Sequence, residues 1–547
     1  MSTAINHAKI DDIIKRNISL FNKPGALTVR PGYKLTGGWI TDKPAIVVTV
    51  DKKLDGLTDD QKLPAEVEDV PVDVREATGL QRLRAKNPSE FTVAMAHIRE
   101  DQQEPEFPLE RSLPGGGPIA PQQNASATLL TSAGAAKTQL TYMPPPGASL
   151  SKFTGVTTIT ACASPDAGYG LLTGFLSQAQ SDLTIAMYDF TSGPLLTDVT
   201  NLVGPRQLPF KMVLDHPPKN PTADQTDTVT RQTILNSDPN AAINWALTRN
   251  DPQVTEWVFP TAYHIKVIVE DGKRFWLSSG NMNNSNEPST PALQKTGDRD
   301  WHVVLENSEL AQLYKAFIDN DFNIAAGAQT VGDPTVHAQI KDALQSLSTE
   351  SSKSTFVQLA MTARTPATTF PAKAFNNVQV SIQPLLTPDK GVHTSMYVDN
   401  VLDLINSAKK TLYMQTQYIH PSAKPGDADF MLLVAALSNA HKNGLDVRLI
   451  TSQYENTAQW IETLKPFDLD QVLRIQNKVH NKGIVVDSNV VMVSSQNWSA
   501  DGCLRNRDAG LIIENADIAA YFESIFMYDW VNLATEKIVD ASTPANT

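Results

Sequence analysis

Short apolar runs set between polar stretches give the chain its rhythm. Ala45-Ile46-Val47-Val48-Thr49-Val50 reads as a β-branched, buried strand, with Gly37-Gly38 before it as a hairpin turn. Further on, Leu183 to Tyr188 and Leu412 to Tyr418 are apolar strands that each end in tyrosine. Phe210 to Leu214 and Val447 to Ile450 follow them as second strands. Helical segments lie between. Strands alternating with helical patterns predict an α/β sandwich.

The breaks in this rhythm divide the chain. Residues 1–100 read as a small N-terminal α+β module with no cluster of catalytic residue types. Residues 101–150 form a linker-rich segment, because Leu113-Pro114-Gly115-Gly116-Gly117-Pro118 and Pro144-Pro145-Pro146-Gly147 cannot build regular structure. A Ser/Thr/Ala-rich stretch near 345–372 then separates two halves, 151–330 and 375–541. These halves are an internal repeat. Ser164-Pro165-Asp166 answers to Thr387-Pro388-Asp389, and each half closes with Arg-Asp, then Glu-Asn: Arg299-Asp300 to Glu306-Asn307, and Arg507-Asp508 to Glu514-Asn515.

Composition narrows the class. The 547 residues suffice for two or three domains, and 41% hydrophobic with 19% charged residues is ordinary for globular protein. With 46 basic against 59 acidic residues the formal charge is −13, which repels bulk nucleic acid and anionic membranes at long range. Two cysteines, Cys162 and Cys503, do not make a disulfide framework and lack metal-ligand spacing, so small buried residues in a reducing, cytoplasmic setting are expected. No basic-then-apolar leader opens the chain, and no run approaches the ~18 apolar residues of a membrane span. A lipid substrate would therefore be met at the membrane surface.

The repeat carries the candidate chemistry. His264, Lys266 and Asp271 in the first half, and His480, Lys482 and Asp487 in the second, both obey His-x-Lys-x₄-Asp. Beyond each lies Ser-Ser-x-Asn: Ser278-Ser279-Gly280-Asn281 and Ser494-Ser495-Gln496-Asn497. One match would be weak; two with the same sequel are a strong signal. On a strand, residues two apart share a face, so each His points with its Lys. If the halves pack with those faces together, two imidazoles and two ammoniums share a cavity. The lysines with Asn281, Asn497, Ser279 and Ser495 would hold non-bridging phosphate oxygens. One His would attack phosphorus and the other would protonate the leaving oxygen. A carboxylate on each ring would fix its tautomer, and the matched positions of Glu306 and Glu514 nominate them. Asp271 and Asp487 divide evenly between catalysis and a turn that ends the strand. Arg299-Asp300 and Arg507-Asp508 read as ion pairs at each repeat's edge. His216, His302, His337 and His441 have no matched partner and read as incidental. Trp498 reads as core rather than pocket wall.

The doubled His-x-Lys-x₄-Asp with Ser-x-Asn resembles the phospholipase D superfamily over roughly 155–540. The resemblance implies two similar α/β halves around one site, a phosphohistidine intermediate, and no metal or other cofactor. By position His264 resembles the nucleophile and His480 the acid/base, with the reverse open because the repeat is nearly symmetric. The family usually has Gly where Ser278 and Ser494 stand. The superfamily includes phospholipases, phosphatidyl-transferring synthases and nucleases. The negative charge, the lack of a Lys/Arg-rich run and two repeats in one chain favour a phospholipid headgroup hydrolase in peripheral contact with membrane, with transfer to alcohols as a side activity. A nuclease acting on nucleic acid is the alternative, and a non-catalytic binding protein comes third.

Overall fold

The structure, a computed structural model, describes residues 7–37, 39–95, 103–114, 138–139, 142–215, 226–251, 254–257, 259, 262–325, 370–453 and 457–535. Residues 115–137 of the linker-rich segment expected at 101–150, most of the stretch near 345–372, His216 and His337 lie outside them.

The apolar runs of both halves enter one 14-stranded sheet, and the architecture is mixed α/β. From one edge the strands are Ala242–Trp245, Phe210–Leu214, Leu183–Met187, Lys266–Glu270, Arg274–Ser278, Asp300–Glu306 and Phe153–Ser164. The second half repeats this in reverse: Lys373–Thr387, Asp508–Glu514, Val490–Ser494, Lys482–Val486, Thr411–Thr416, Asp446–Ser452 and Leu473–Gln476. Phe153–Ser164 and Lys373–Thr387 pair antiparallel at the seam. The order reads the same from either edge, so the repeat in sequence becomes an approximate twofold in space.

Alternation along the strands sorts the core into layers. Ile265, Val267, Val269, Ala509, Leu511 and Ile513 face one side and join helices Ser308–Ala325 and Ala516–Asn532 in a core shared by both halves. The opposite face has a separate core for each half. Ile268, Trp276 and Val304 pack on helices Gly168–Leu176 and Gly193–Arg206. Ile484, Met492 and Ile512 pack on Met396–Ser407 and Ala428–Lys442. Each Leu, Ile or Val so buried contributes about 1.5–3 kcal/mol before entropy is counted. At the junction of the halves, a Cβ on Gly483 would stand 2.3 Å from the Trp301 ring, so only glycine lets the strands pack this closely.

The amino-terminal unit has its own five-stranded sheet and its own core, built on Ile10, Ile14, Phe21, Val29, Ile46 and Val48. Thr36 pairs antiparallel with Trp39; Gly38 of the expected Gly37-Gly38 turn lies outside the described residues. The unit runs past residue 100, because Arg111–Ser112 pairs with the strand Ala26–Thr36 and Leu113 is buried in its core. A two-residue polar edge strand has no alternation to betray it, so the sequence reads as linker there. Arg30 and Arg75 dock the unit on Glu462 of helix Thr457–Leu464 in the second half.

Candidate active site

The two His-x-Lys motifs lie at equivalent places, each His just ahead of a strand that begins at the Lys, Lys266–Glu270 or Lys482–Val486. Backbone bonds reach across the halves at both points. Arg507 N–H donates to Ala262 C=O at 2.9 Å, Arg299 N–H to Lys478 C=O at 2.8 Å, and His480 N–H to Arg299 C=O at 3.0 Å. Each motif is thereby held against the Arg-Asp of the other half.

The ring contacts follow from this. His264 Nδ1 lies 2.8 Å from Asp508 Oδ1, and His480 Nδ1 lies 3.0 Å from Asp300 Oδ1. Both histidines are buried, with 6% of their surface exposed. The carboxylates on the rings are thus Asp300 and Asp508, not Glu306 and Glu514. Those glutamates end their strands at the surface: Glu514 pairs with Lys152 at 3.0 Å and Glu306 lies 3.9 Å from Arg274. Asp and Glu are separated by a whole strand, so only one of them can meet the strand end where the rings lie.

The Arg-Asp neighbours do not pair with each other. Arg299 bonds Asp166 and Asp529, and Arg507 bonds Asp389 and Asp321. Asp529 and Asp321 come from the long helix of the opposite half, and both arginines are buried. These bonds lock the halves together and free Asp300 and Asp508 for the rings. Burial pushes the Asp300 carboxyl up from its ordinary value, with Lys482 drawing it back.

Ser279 and Ser495 serve those aspartates rather than a phosphate. Ser279 Oγ donates to Asp300 Oδ1 at 2.7 Å and accepts from Trp301 N–H; Ser495 Oγ donates to Asp508 Oδ1 at 2.6 Å and accepts from Ala509 N–H. Asn281 and Asn497 are buried beside them, and Asn281 Oδ1 accepts from no described residue. Lys266 Nζ and Lys482 Nζ each donate to the carbonyl of their own histidine. Lys482 Nζ also lies 3.2 Å from His480 Nε2. Burial pushes the Lys266 ammonium far down, with Asp508 opposing.

Asp271 and Asp487 lie outside the site. Asp271 accepts from the N–H groups of Gln180, Ser181 and Asp182, and Asp487 from those of Lys409, Lys410 and Thr411. Each adopts positive φ in the turn after the strand that begins at its lysine and ties that turn to the start of the neighbouring strand, Leu183–Met187 or Thr411–Thr416. Five residues of strand carry them about 16 Å from the lysine end.

The tyrosines that close the apolar strands are not equivalent. Met187 pairs with Lys266 and Thr416 with Lys482, so Tyr188 corresponds to Gln417 and Tyr418 to Asp189. Tyr188 lies edge-on to His264, with ring centroids 4.7 Å apart, and Lys266 Nζ lies 5.0 Å from its ring. His302 is not incidental. It bonds Ser164 Oγ at 2.8 Å and Ser278 Oγ at 2.7 Å, two residues beyond Asp300. Trp498 is fully buried against Phe430, and both cysteines are buried. A cavity of about 990 Å³ lies beside Tyr142, Phe259, Phe317, Lys390 and Arg505, with neither His264 nor His480 in its wall.

The second half resembles known proteins. Residues 401–530 match the family described as "Cardiolipin synthase, PLD-like domain". A phospholipase D of Rickettsia conorii is 30% identical over 139 residues, 24% of this chain and 61% of that protein. A cardiolipin synthase of Clostridium perfringens is 30% identical over 145 residues, 25% of this chain and 29% of that protein. The chain therefore spans less than two thirds of these relatives' own length. Among solved structures, a phosphatidylserine synthase of Haemophilus influenzae aligns with TM-score 0.46 at 16% identity, covering 70% of this chain and 89% of that one. Within residues 401–530 the chain is thus similar to phospholipase D-like domains.

Proposed function

We propose that this protein is a phosphodiesterase of the phospholipase D type that hydrolyses phospholipid headgroups and passes the phosphatidyl group to alcohols. The observation that carries the reading is the reciprocal pairing of His264 with Asp508 and His480 with Asp300, with a lysine beside each. A carboxylate at Nδ1 fixes the tautomer and assigns the chemistry to Nε2.

In the proposed cycle His264 Nε2 attacks phosphorus and the P–O bond to the headgroup breaks. His480 passes its proton to the departing oxygen. Water, or an alcohol, then loses a proton to His480 and displaces His264 from phosphorus. Phosphatidate or a phosphatidyl ester leaves. Lys266, Lys482, Asn281 and Asn497 offset charge on the non-bridging oxygens, where low dielectric makes each donor count for more than in water. The phospholipid names of the curated relatives and the charge of −13 favour lipid over a polyanionic nucleic acid. Among the described residues no helix is long and apolar enough to cross a membrane, and the proposed contact with lipid is peripheral.

The test offers mixed phospholipids with butanol, and separately single-stranded DNA and RNA, to wild type, His264→Asn and His480→Asn in EDTA. Phosphatidate and phosphatidylbutanol from wild type, absent in both variants, are expected by mass spectrometry. Shortened oligonucleotides beside untouched lipid would overturn the substrate class.

A further inference from the structure

The second half carries a segment that the first lacks. In the first half Asp166 is followed directly by Ala167, the cap of helix Gly168–Leu176. In the second, Lys390-Gly391-Val392-His393-Thr394 stand between Asp389 and Ser395, the cap of helix Met396–Ser407. This insertion leaves the sheet at the end where the histidines lie. Thr387 pairs with Asp508, whose carboxylate meets the His264 ring, and Asp389 bonds Arg507 at 2.8 Å.

The loop is tied down, yet it displays an apolar side chain to solvent. Val392 N–H and His393 N–H donate to the Asp399 carboxylate at 2.6 and 3.0 Å, and Thr394 N–H donates to Asp429 Oδ2 at 2.8 Å. A Cβ on Gly391 would stand 1.8 Å from Asp399 Oδ2, so only glycine lets the turn close on that carboxylate. Val392 is nonetheless 95% exposed. Lys390 and Thr394, on either side of it, line the cavity of about 990 Å³, and Met143 lines it from the linker-rich segment. Met143 is 68% exposed, although its carbonyl accepts from Asn320 Nδ2 at 3.0 Å. Exposed Leu432 lies one helical turn beyond Asp429. A single exposed valine needs no explanation. One fixed on a tied loop, with two more exposed apolar side chains around it at the site's end of the sheet, marks a contact surface.

We propose that this face, built on Val392, Met143 and Leu432, seats the protein on a phospholipid bilayer, with Val392 entering among the lipids. The strand ends that carry His264 and His480 are thereby brought to the headgroups. The proposal deepens the phosphodiesterase reading and rests on it for the choice of lipid as partner.

The charges around the face decide which bilayer it fits. Arg505, in the cavity wall, is matched by Asp427 and Asp501, and Lys424 pairs with Glu106 at 3.0 Å. Asp399 and Asp429, which hold the loop, add negative charge beneath it. Lys390 is exposed and pairs with no acid among the described residues. One such cation does not offset the chain's −13 towards an anionic surface. Docking is therefore apolar, on a net-neutral surface such as phosphatidylcholine, and depends little on salt.

The experiment reads binding and turnover separately. Co-sedimentation of the full chain with phosphatidylcholine vesicles, in a His264→Asn background that leaves the lipid intact, measures partition. Partition is expected to change by no more than about two-fold between about 0.05 and 0.5 M salt. Val392→Asp in that background is expected to lower it about ten-fold, and Met143→Asp several-fold; both side chains are exposed, so neither exchange disturbs the core. In the active chain Val392→Asp should cut turnover on vesicles by a similar factor, and leave turnover of a short-chain phosphatidylcholine below its micelle concentration within about two-fold of wild type. No partition, partition indifferent to Val392→Asp and Met143→Asp, or partition that needs anionic lipid and vanishes in salt would each overturn the proposal. Val392-dependent partition without any lipid turnover would reject the phosphodiesterase reading of the substrate and leave the docking face standing. Lipid turnover on vesicles with partition indifferent to Val392 would do the reverse.

Discussion

His302 is where a single residue's environment makes a measurable difference. Burial pushes its imidazole down to about 4, with Asp300 drawing it back. A histidine with a folded pKa below its unfolded 6.5 binds fewer protons folded than unfolded, so its contribution to stability is whole above pH 6.5 and is lost as pH falls towards 4. Between pH 7.5 and 5 the loss is about 2 kcal/mol. Urea denaturation at the two pH values should show it, and His302→Gln should flatten the difference whatever its own absolute stability. An unchanged difference would mean that His302 does not carry it. In the second half Gln496 occupies the corresponding space, opposite Gly510, and accepts from Ser494 Oγ at 2.6 Å. The two halves thus fill one cavity with different residues, and only the first half uses a titrating one.

The strand that follows each His-x-Lys pair is anchored at its far end. Asp271 and Asp487 accept three backbone N–H groups apiece, bonds that hold their carboxyls below the usual range although burial works against this. Replacing either by Ala leaves the donors to solvent and should cost about 1–2 kcal/mol, comparable to losing a helix cap. Chemical denaturation would read that loss, while kcat on a soluble phosphodiester should stay within a few fold of wild type. A thousand-fold fall in kcat with unchanged stability would return these residues to the chemistry. The aspartate of the repeated motif is a joint between strands.

At the scale of the molecule, the amino-terminal unit is held by a buried charge cluster. Glu462 lies between Arg30 and Arg75, and a Cβ on Gly32 would collide with its carboxylate. Burial works to raise the Glu462 carboxyl, yet the two guanidiniums hold it below its ordinary value. Removing one partner of a buried ionic cluster leaves the others uncompensated, so Glu462→Ala should weaken docking by about 3–5 kcal/mol. The variant should be cut by protease between the unit and the halves at a lower enzyme dose, and calorimetry should show two transitions. A single transition at the wild-type temperature would show that the apolar contacts alone hold the unit.

The sequence by itself determined the repeat, the α/β class and the four residues His264, Lys266, His480 and Lys482. These are local facts: a period-two apolar pattern and a spacing of two residues on a strand, which need no knowledge of what lies opposite. Only the tertiary structure decided that Asp300 and Asp508 reach the rings, that each serves the histidine of the other half, and that Glu306, Glu514, Asp271 and Asp487 do not. The physical reason is the approximate twofold axis. A repeat read along one chain suggests partners within its own half, whereas packing two halves face to face exchanges them. The arginines show the same exchange, with Arg299 bound to Asp529 and Arg507 to Asp321 across the seam.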